Sequence, residues 1–130
     1  MSKINSIRMP FYASSVYDGV LGILLLFFSE PILKLFNIVP PNHSGYLQFP
    51  ALLLIVFSVM YLQIAKDPLK NVNLVPYGIL LKVSYCLVVC WHWIFSSVPD
   101  MWKPLALFDV IFLILFVQSY LKMKKELGDT

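Results

Sequence analysis

The chain has 130 residues, with ten Lys and Arg against seven Asp and Glu, which gives a formal net charge of +3. Hydrophobic residues make up 59% of the sequence and charged residues only 13%, about half the ~25% of a soluble domain. A water-soluble fold of this size cannot bury so much apolar surface, and no basic stripe alternates with aromatic residues. The composition therefore excludes a soluble globular protein, argues against nucleic-acid binding, and predicts an integral membrane protein.

Four stretches reach the ~20 mostly apolar residues that an α-helix needs to cross the ~30 Å hydrocarbon core of a bilayer. The first stretch carries Asp18 as its one charge, the second carries none, the third carries Lys82 and the fourth carries Asp109. We predict an all-α fold, a bundle of four transmembrane helices with short loops, which forms one domain over residues 1–130. The approximate spans are 9–28, 46–65, 74–95 and 104–121.

Proline-containing segments separate these spans. Pro40 and Pro41 precede turn residues at 42–45, Pro68 ends the second span and Pro99 follows the third, because proline cannot continue a helical hydrogen-bond ladder. The basic N-terminus resembles a signal peptide, but no small-x-small cleavage site follows, so we predict a retained first helix. Residues 30–39 are semi-apolar and fit either an interfacial helix or an extension of the first span.

Basic residues are distributed unequally between the two sides of the predicted bundle. One side has Lys34 and Lys103, whereas the other side has seven basic residues: Lys3, Arg8, Lys66, Lys70, Lys122, Lys124 and Lys125. Positive charges collect on the cytoplasmic side of membrane proteins. We therefore predict that both termini are cytoplasmic (N-in/C-in), and we expect the bacterial cytoplasmic (inner) membrane.

Ionisable residues inside a bilayer cost ~2.5–3.5 kcal/mol each on insertion scales, so they usually face the bundle interior and pair. By helix rise, Asp18 lies ~13 Å and Lys82 ~12 Å from the cytoplasmic edge, which predicts a buried ion pair. The same count places His92 at ~27 Å and Asp109 at ~22 Å from that edge. These two residues are therefore predicted to form a second pair in the outer leaflet.

Further polar and aromatic residues lie on the same helix faces as this second pair. Tyr85 and His92 share a face with Lys82 on the third span, and Trp102 lies on the side of Asp109 on the fourth. We predict that His92, Asp109, Tyr85 and Trp102 form a ligand-binding or partner-binding mouth on the outer side. The alternative is that the buried charges only fix helix register and that His92 is a hydrogen-bonded interfacial residue.

Two cysteines lie four residues apart in the third span. This spacing is not Cys-x-x-Cys, and helical geometry disfavours a disulfide between them, so we expect Cys86 and Cys90 to be small apolar core residues. His92 and Asp109 supply two ligands where zinc needs three or four. We accordingly predict no metal site and no cofactor.

Four spans in about 130 residues, short loops, and an acidic residue in both the first and the last helix resemble the DoxX-like small membrane proteins. The stretch 77–116, with the motifs WHW, VPDMWKP and LFDV, also resembles four-span bacterial proteins of that general kind. The resemblance covers nearly the whole chain. It implies an accessory membrane subunit, sometimes of redox systems that use quinones or sulfur compounds, and it carries over no catalytic residue.

Three functions fit these patterns. The first is a non-catalytic accessory subunit or partner-binding module of a membrane complex, possible partners being other membrane subunits or a second copy, with lipid around them. The second is a binder or carrier of a lipophilic molecule, a quinone or a lipid, held by Tyr85, His92 and Asp109. The third is a small proton-coupled transporter that uses Asp18.

Overall fold

The computed structural model describes residues 3–128, and every regular element in that range is helical. The α-helices are α1 (Lys3–Phe27), α2 (Ser29–Leu35), α3 (Gly45–Lys66), α4 (Val75–Phe95) and α5 (Trp102–Glu126), and a 3₁₀ turn at Val72–Leu74 precedes α4. The four long helices are apolar enough to cross a membrane. The predicted four-helix membrane bundle is thereby confirmed, with helices longer than predicted at the start of α1 and at both ends of α5.

The four long helices alternate in direction along the chain. α1 packs along α3 and also contacts α5, α4 packs against α5, and α3 and α4 touch only slightly. Lys3 forms a salt bridge with Glu126, and the Arg8 guanidinium donates a hydrogen bond to the Lys66 carbonyl. We call this end of the bundle the terminal end, and the opposite end, where Phe27 and Trp102 lie, the distal end.

A close approach of backbones holds α1 against α3. A Cβ atom on Gly22 would lie 2.8 Å from the Ala51 carbonyl oxygen, so only glycine fits there. Two turns toward the terminal end, the Ser15 hydroxyl donates to the Ser58 carbonyl (2.8 Å), and the Ser58 hydroxyl donates to the Ser15 carbonyl (2.6 Å). Small residues and interhelical hydrogen bonds of this kind replace the hydrophobic driving force that lipid removes.

The semi-apolar segment after the first span forms its own helix. α1 ends at Phe27 and α2 begins at Ser29, so α2 is not a continuation of the span. α2 closes at Asn37, which has a positive φ of 55°, and the Ile38 amide donates to the Leu33 carbonyl at 2.8 Å. This left-handed residue after a helix is a common C-terminal closure, and asparagine tolerates it better than most side chains.

The largest buried side chains gather in the terminal half of the bundle. They come from all four long helices and form one hydrophobic cluster: Ile7, Phe11, Tyr61, Ile64, Ala65, Val75, Phe116 and Met123. Phe11 stacks on Phe116 with ring centroids 4.6 Å apart, and the Tyr61 ring meets Phe116 edge-on at 5.1 Å. This aromatic layer closes the bundle on the terminal side of its buried charges.

Candidate functional site

Three charged side chains from three helices meet inside the bundle. The Lys82 ammonium on α4 lies 2.9 and 3.2 Å from the two carboxylate oxygens of Asp18 on α1, and 3.3 Å from Asp109 Oδ1 on α5. Lys82 and Asp18 are each about 1% exposed. The predicted contact between Asp18 and Lys82 is present, and Asp109 joins it; we call the three residues the central cluster.

Aromatic rings surround the ammonium of the central cluster. Its nitrogen lies between 5.3 and 5.9 Å from four ring centroids, those of Tyr17, Tyr61, Phe112 and Phe116. Ring faces attract a cation, and the attraction grows where water is excluded. The rings therefore compensate part of the hydration that the ammonium loses.

Local sequence explains how α4 accommodates this arrangement. Gly78 lies one turn before Lys82, and a Cβ atom there would come within 2.7 Å of the Tyr61 ring. The absence of a side chain at Gly78 lets Tyr61 reach across from α3, where its ring contacts Lys82. A glycine four residues before the lysine is thus part of the construction of the site.

The central cluster is unbalanced in charge. Two carboxylates face one ammonium, so the fully ionised cluster carries a formal charge of −1. Both oxygens of Asp18 are bound by Lys82, whereas Asp109 uses only Oδ1, and its side chain is 12% exposed against 2% for Asp18. Asp109 is therefore the member with an oxygen left over and with the greater access to the surroundings.

Several buried hydroxyl groups near the cluster have no hydrogen-bond partner among the described residues. They belong to Ser14, which lies one turn before Asp18, and to Tyr17 and Tyr61. The sequence did not single out Tyr61, because its span contains no charge and nothing in the pattern ties that span to the polar faces. Ser14 had a detectable signal in its spacing of four residues from Asp18.

The predicted pair of His92 and Asp109 is wrong. The His92 ring contacts the Ser96 hydroxyl at 3.0 Å and is exposed, whereas Asp109 binds Lys82. The depth count assumed that α4 and α5 meet the outer membrane edge at the same level. Cys86 Sγ instead lies 3.9 Å from the Ala106 carbonyl, and in this antiparallel register His92 lies beyond the start of α5.

The four residues of the predicted mouth lie in three different surroundings. The Tyr85 hydroxyl donates to the Trp102 carbonyl at 3.3 Å, and the two rings stack with centroids 6.1 Å apart. Asp109 belongs to the central cluster and His92 lies at the distal end of α4. The structure thus keeps Tyr85 with Trp102 and separates His92 from the other three.

The two cysteines of α4 differ in their exposure. Cys86 is half-buried against α5, whereas Cys90 is exposed on the outside of the bundle, so the expectation of two core residues is wrong for Cys90. Within residues 3–128, no group of three or more His, Cys, Asp or Glu side chains is placed to hold a metal ion.

No protein-family model, no curated protein and no solved structure matches the chain. The class that the fold and the site define is a four-helix integral membrane protein with a buried cluster of two carboxylates and one ammonium.

Proposed function

We propose that the protein is a small proton-coupled membrane transporter whose central cluster binds and releases one proton. The observation that carries this proposal is that Asp18 and Asp109 share a single buried ammonium. An uncompensated charge in a low-dielectric interior is costly, and neighbouring carboxylates disfavour each other's ionisation. One added proton makes the cluster neutral.

Asp109 is the residue that accepts this proton in the proposal. Its second oxygen has no contact with Lys82, and it is the more exposed of the two carboxylates. When the new O–H bond forms at that oxygen, Asp109 loses its charge and its attraction for Lys82 weakens. Lys82 then pairs with Asp18 alone. Proton binding would in this way loosen a contact between α4 and α5, which couples protonation to helix movement.

The test is proton uptake by liposomes that contain the purified protein, driven by a potassium diffusion potential and followed with an internal pH dye. Asp109→Asn keeps the oxygen that accepts from Lys82 but cannot ionise, so the cluster is neutral without a proton. We expect normal folded yield and loss of proton uptake. Asp67→Asn, at an exposed aspartate beyond α3, is the matched control and should behave as wild type.

Proton uptake that is unchanged by Asp109→Asn contradicts the proposal. Loss of folded yield in step with loss of uptake would instead identify the central cluster as a structural element that sets helix register. Asparagine has nearly the same shape as aspartate, so the variant removes only the charge. Folded yield and proton uptake can then be measured on the same preparation, and a structural role is distinguished from a functional one.

An accessory subunit is a second candidate, and it follows from the DoxX-like resemblance. A recess of about 400 Å³ at the distal end, lined by residues 36–39 and 97–100, offers a surface to a partner protein. Stable co-purification with a larger membrane complex after mild detergent extraction would support this role. A protein that runs alone, or only with copies of itself, would count against it.

The orientation in the membrane is also a proposal. The seven basic residues predicted on one side lie on segments that meet at the terminal end. Because positive charges collect on the cytoplasmic side of membrane proteins, we propose that this end faces the cytoplasm and that the membrane is a bacterial inner membrane. In a variant without native cysteines, Asn71→Cys should be shielded from an impermeant thiol reagent in intact cells. Ser44→Cys should be labelled, and the reverse pattern would overturn the assignment.

A further inference from the structure

Buried polar atoms without a partner are distributed unevenly along the bundle. Among residues 3–128 they are Arg8 Nε, Ser14 Oγ, Tyr17 Oη and Tyr61 Oη. Tyr17 is the neighbour of Asp18 in the chain, and the other three lie on the terminal side of the central cluster. Buried polar groups are nearly always hydrogen-bonded to protein or to ordered water, so a run of unsatisfied atoms marks places where water belongs.

The positions of Ser14 and Tyr61 relate them to the central cluster. Ser14 lies one helical turn from Asp18 on the same face of α1, on its terminal side, and is fully buried. Tyr61 is also fully buried, its ring centroid lies 5.3 Å from the Lys82 nitrogen, and its hydroxyl lies 3.5 Å from the Cβ position of Gly78. Gly78 in turn lies one turn from Lys82 toward the terminal end.

We propose that the hydroxyls of Ser14 and Tyr61 hold water on the terminal side of the central cluster and carry the proton between that cluster and the terminal end. This inference rests on the proposed proton-coupled function. A hydroxyl both donates and accepts a hydrogen bond, so each one can receive a proton on one side and release another on the other side. The stacked rings of Phe11 and Phe116 lie on the same side of the cluster and offer water no hydrogen-bonding group, so bulk water is disfavoured there.

Arg8 lies where such a route would reach the terminal end. Its Nη2 donates to the Lys66 carbonyl at 3.3 Å, while its Nε is buried without a partner. The guanidinium is permanently charged and does not itself relay protons. Its buried Nε–H can hold the last water of the route.

Two conservative variants test the relay. Tyr61→Phe removes one oxygen and keeps the ring that contacts Phe57 and Phe116, and Ser14→Ala likewise removes one oxygen. In the liposome assay we expect each variant to slow proton uptake at least about tenfold, which corresponds to ~1.4 kcal/mol in the barrier. The thermal unfolding temperature in detergent should change little, because each variant removes a hydroxyl that has no protein partner and binds only water in the proposal.

Tyr12→Phe and Ser84→Ala are the matched controls, because both side chains are exposed, and both should take up protons at the wild-type rate. The infrared band of a protonated carboxyl reports proton binding at the cluster separately, and Tyr61→Phe and Ser14→Ala should retain it. Wild-type rates in both variants, with uptake still lost in Asp109→Asn, would overturn the relay alone. Absence of uptake by the wild-type protein would overturn the relay and the proposed function together.

Discussion

The terminal and distal halves of the bundle are held together by different means. In the terminal half, large side chains from all four long helices are fully buried, among them Phe11, Tyr61 and Phe116. In the distal half, most of the buried apolar residues are small, such as Gly22, Ala51 and Ala106, and the larger ones are Leu33 and Val89. The charges lie where these two kinds of packing meet.

This difference shows what stabilises a bundle when its solvent is lipid. An apolar side chain gains little by leaving lipid for protein, so burial alone does not hold helices together. The terminal half uses aromatic rings around a buried cation, whereas the distal half uses close backbone approach. The terminal half is thus built to seal the charges from one side, and the distal half leaves Asp109 the more accessible carboxylate.

Two lysine–aspartate contacts differ in their burial, one in the centre of the bundle and one at its distal end. Lys82 lies 2.9 Å from Asp18, and Lys103 lies 2.8 Å from Asp100. The distances are nearly equal, but the first pair is almost completely buried and the Asp100 side chain is 92% exposed. Because water screens the exposed pair, only at the buried pair should the loss of one partner be strongly destabilising.

The largest expected effect follows from Lys82→Met, which leaves two buried carboxylates without their cation. Breaking a buried ion pair from one side typically costs about 3–5 kcal/mol. We expect a large fall in folded yield and in the unfolding temperature in detergent. Lys103→Met, the matched control at the exposed pair, should leave both measurements close to wild type.

A double variant separates charge from packing in this prediction. Asp18→Asn combined with Lys82→Met leaves Asp109 as a single carboxyl, which becomes neutral on taking up one proton. The double variant should recover part of the stability that Lys82→Met loses. If Lys82→Met is as stable as wild type, or if Lys103→Met is equally damaging, burial does not distinguish the two pairs.

The sequence correctly predicted the four long helices and the contact between Asp18 and Lys82. Charges are so rare in membrane spans that Asp18, Lys82 and Asp109 stand out, and equal depth correctly paired the first two. The partner of Asp109 was missed because depth depends on where each helix begins relative to its neighbour. That register is set by contacts such as the one between Cys86 and Ala106, which no single-helix pattern contains.

The aromatic part of the site was beyond sequence reasoning for a different reason. Tyr61 contacts Lys82 only because Gly78 leaves space for its ring, so its role depends on the pairing of α3 with α4. Aromatic residues are common in every span of this chain. Composition and periodicity therefore could not distinguish the four rings around the ammonium from those that face lipid.

An intermediate effect is expected from adding one methyl group to each half. Gly22→Ala in the distal half would press against the Ala51 carbonyl at 2.8 Å, and Gly78→Ala in the terminal half would press against the Tyr61 ring at 2.7 Å. Overpacking of this kind typically costs about 1–3 kcal/mol. Thermal unfolding in detergent should show both losses, but only Gly78→Ala should also slow proton uptake, because it displaces Tyr61.

Gly45→Ala is the control for both glycine variants. Its added methyl would meet the exposed His43 side chain, which can move away, so the unfolding temperature should change little. If Gly22→Ala leaves the unfolding temperature unchanged, α1 and α3 can move apart by the width of a methyl group without loss of stability. Equal effects of Gly22→Ala and Gly78→Ala on proton uptake would remove the functional distinction between the halves.

The smallest effect concerns the exposed pair that joins Asp100, in the loop before α5, to Lys103 in the first turn of α5. The hydrogen bond from Lys103, together with its positive charge, lowers the pKa of the Asp100 carboxyl from its ordinary value. Because the folded-state pKa lies below that of the unfolded chain, the stabilisation is present above the ordinary aspartate pKa and is lost as the pH falls through the folded-state value. An NMR titration of carboxyl-labelled protein in detergent should find Asp100 below the ordinary aspartate value, and Lys103→Met should return it to that value. An Asp100 titration that Lys103→Met does not change would mean that the loop contact does not persist in solution, and the exposed pair would then cease to be a fair counterpart of Lys82 and Asp18.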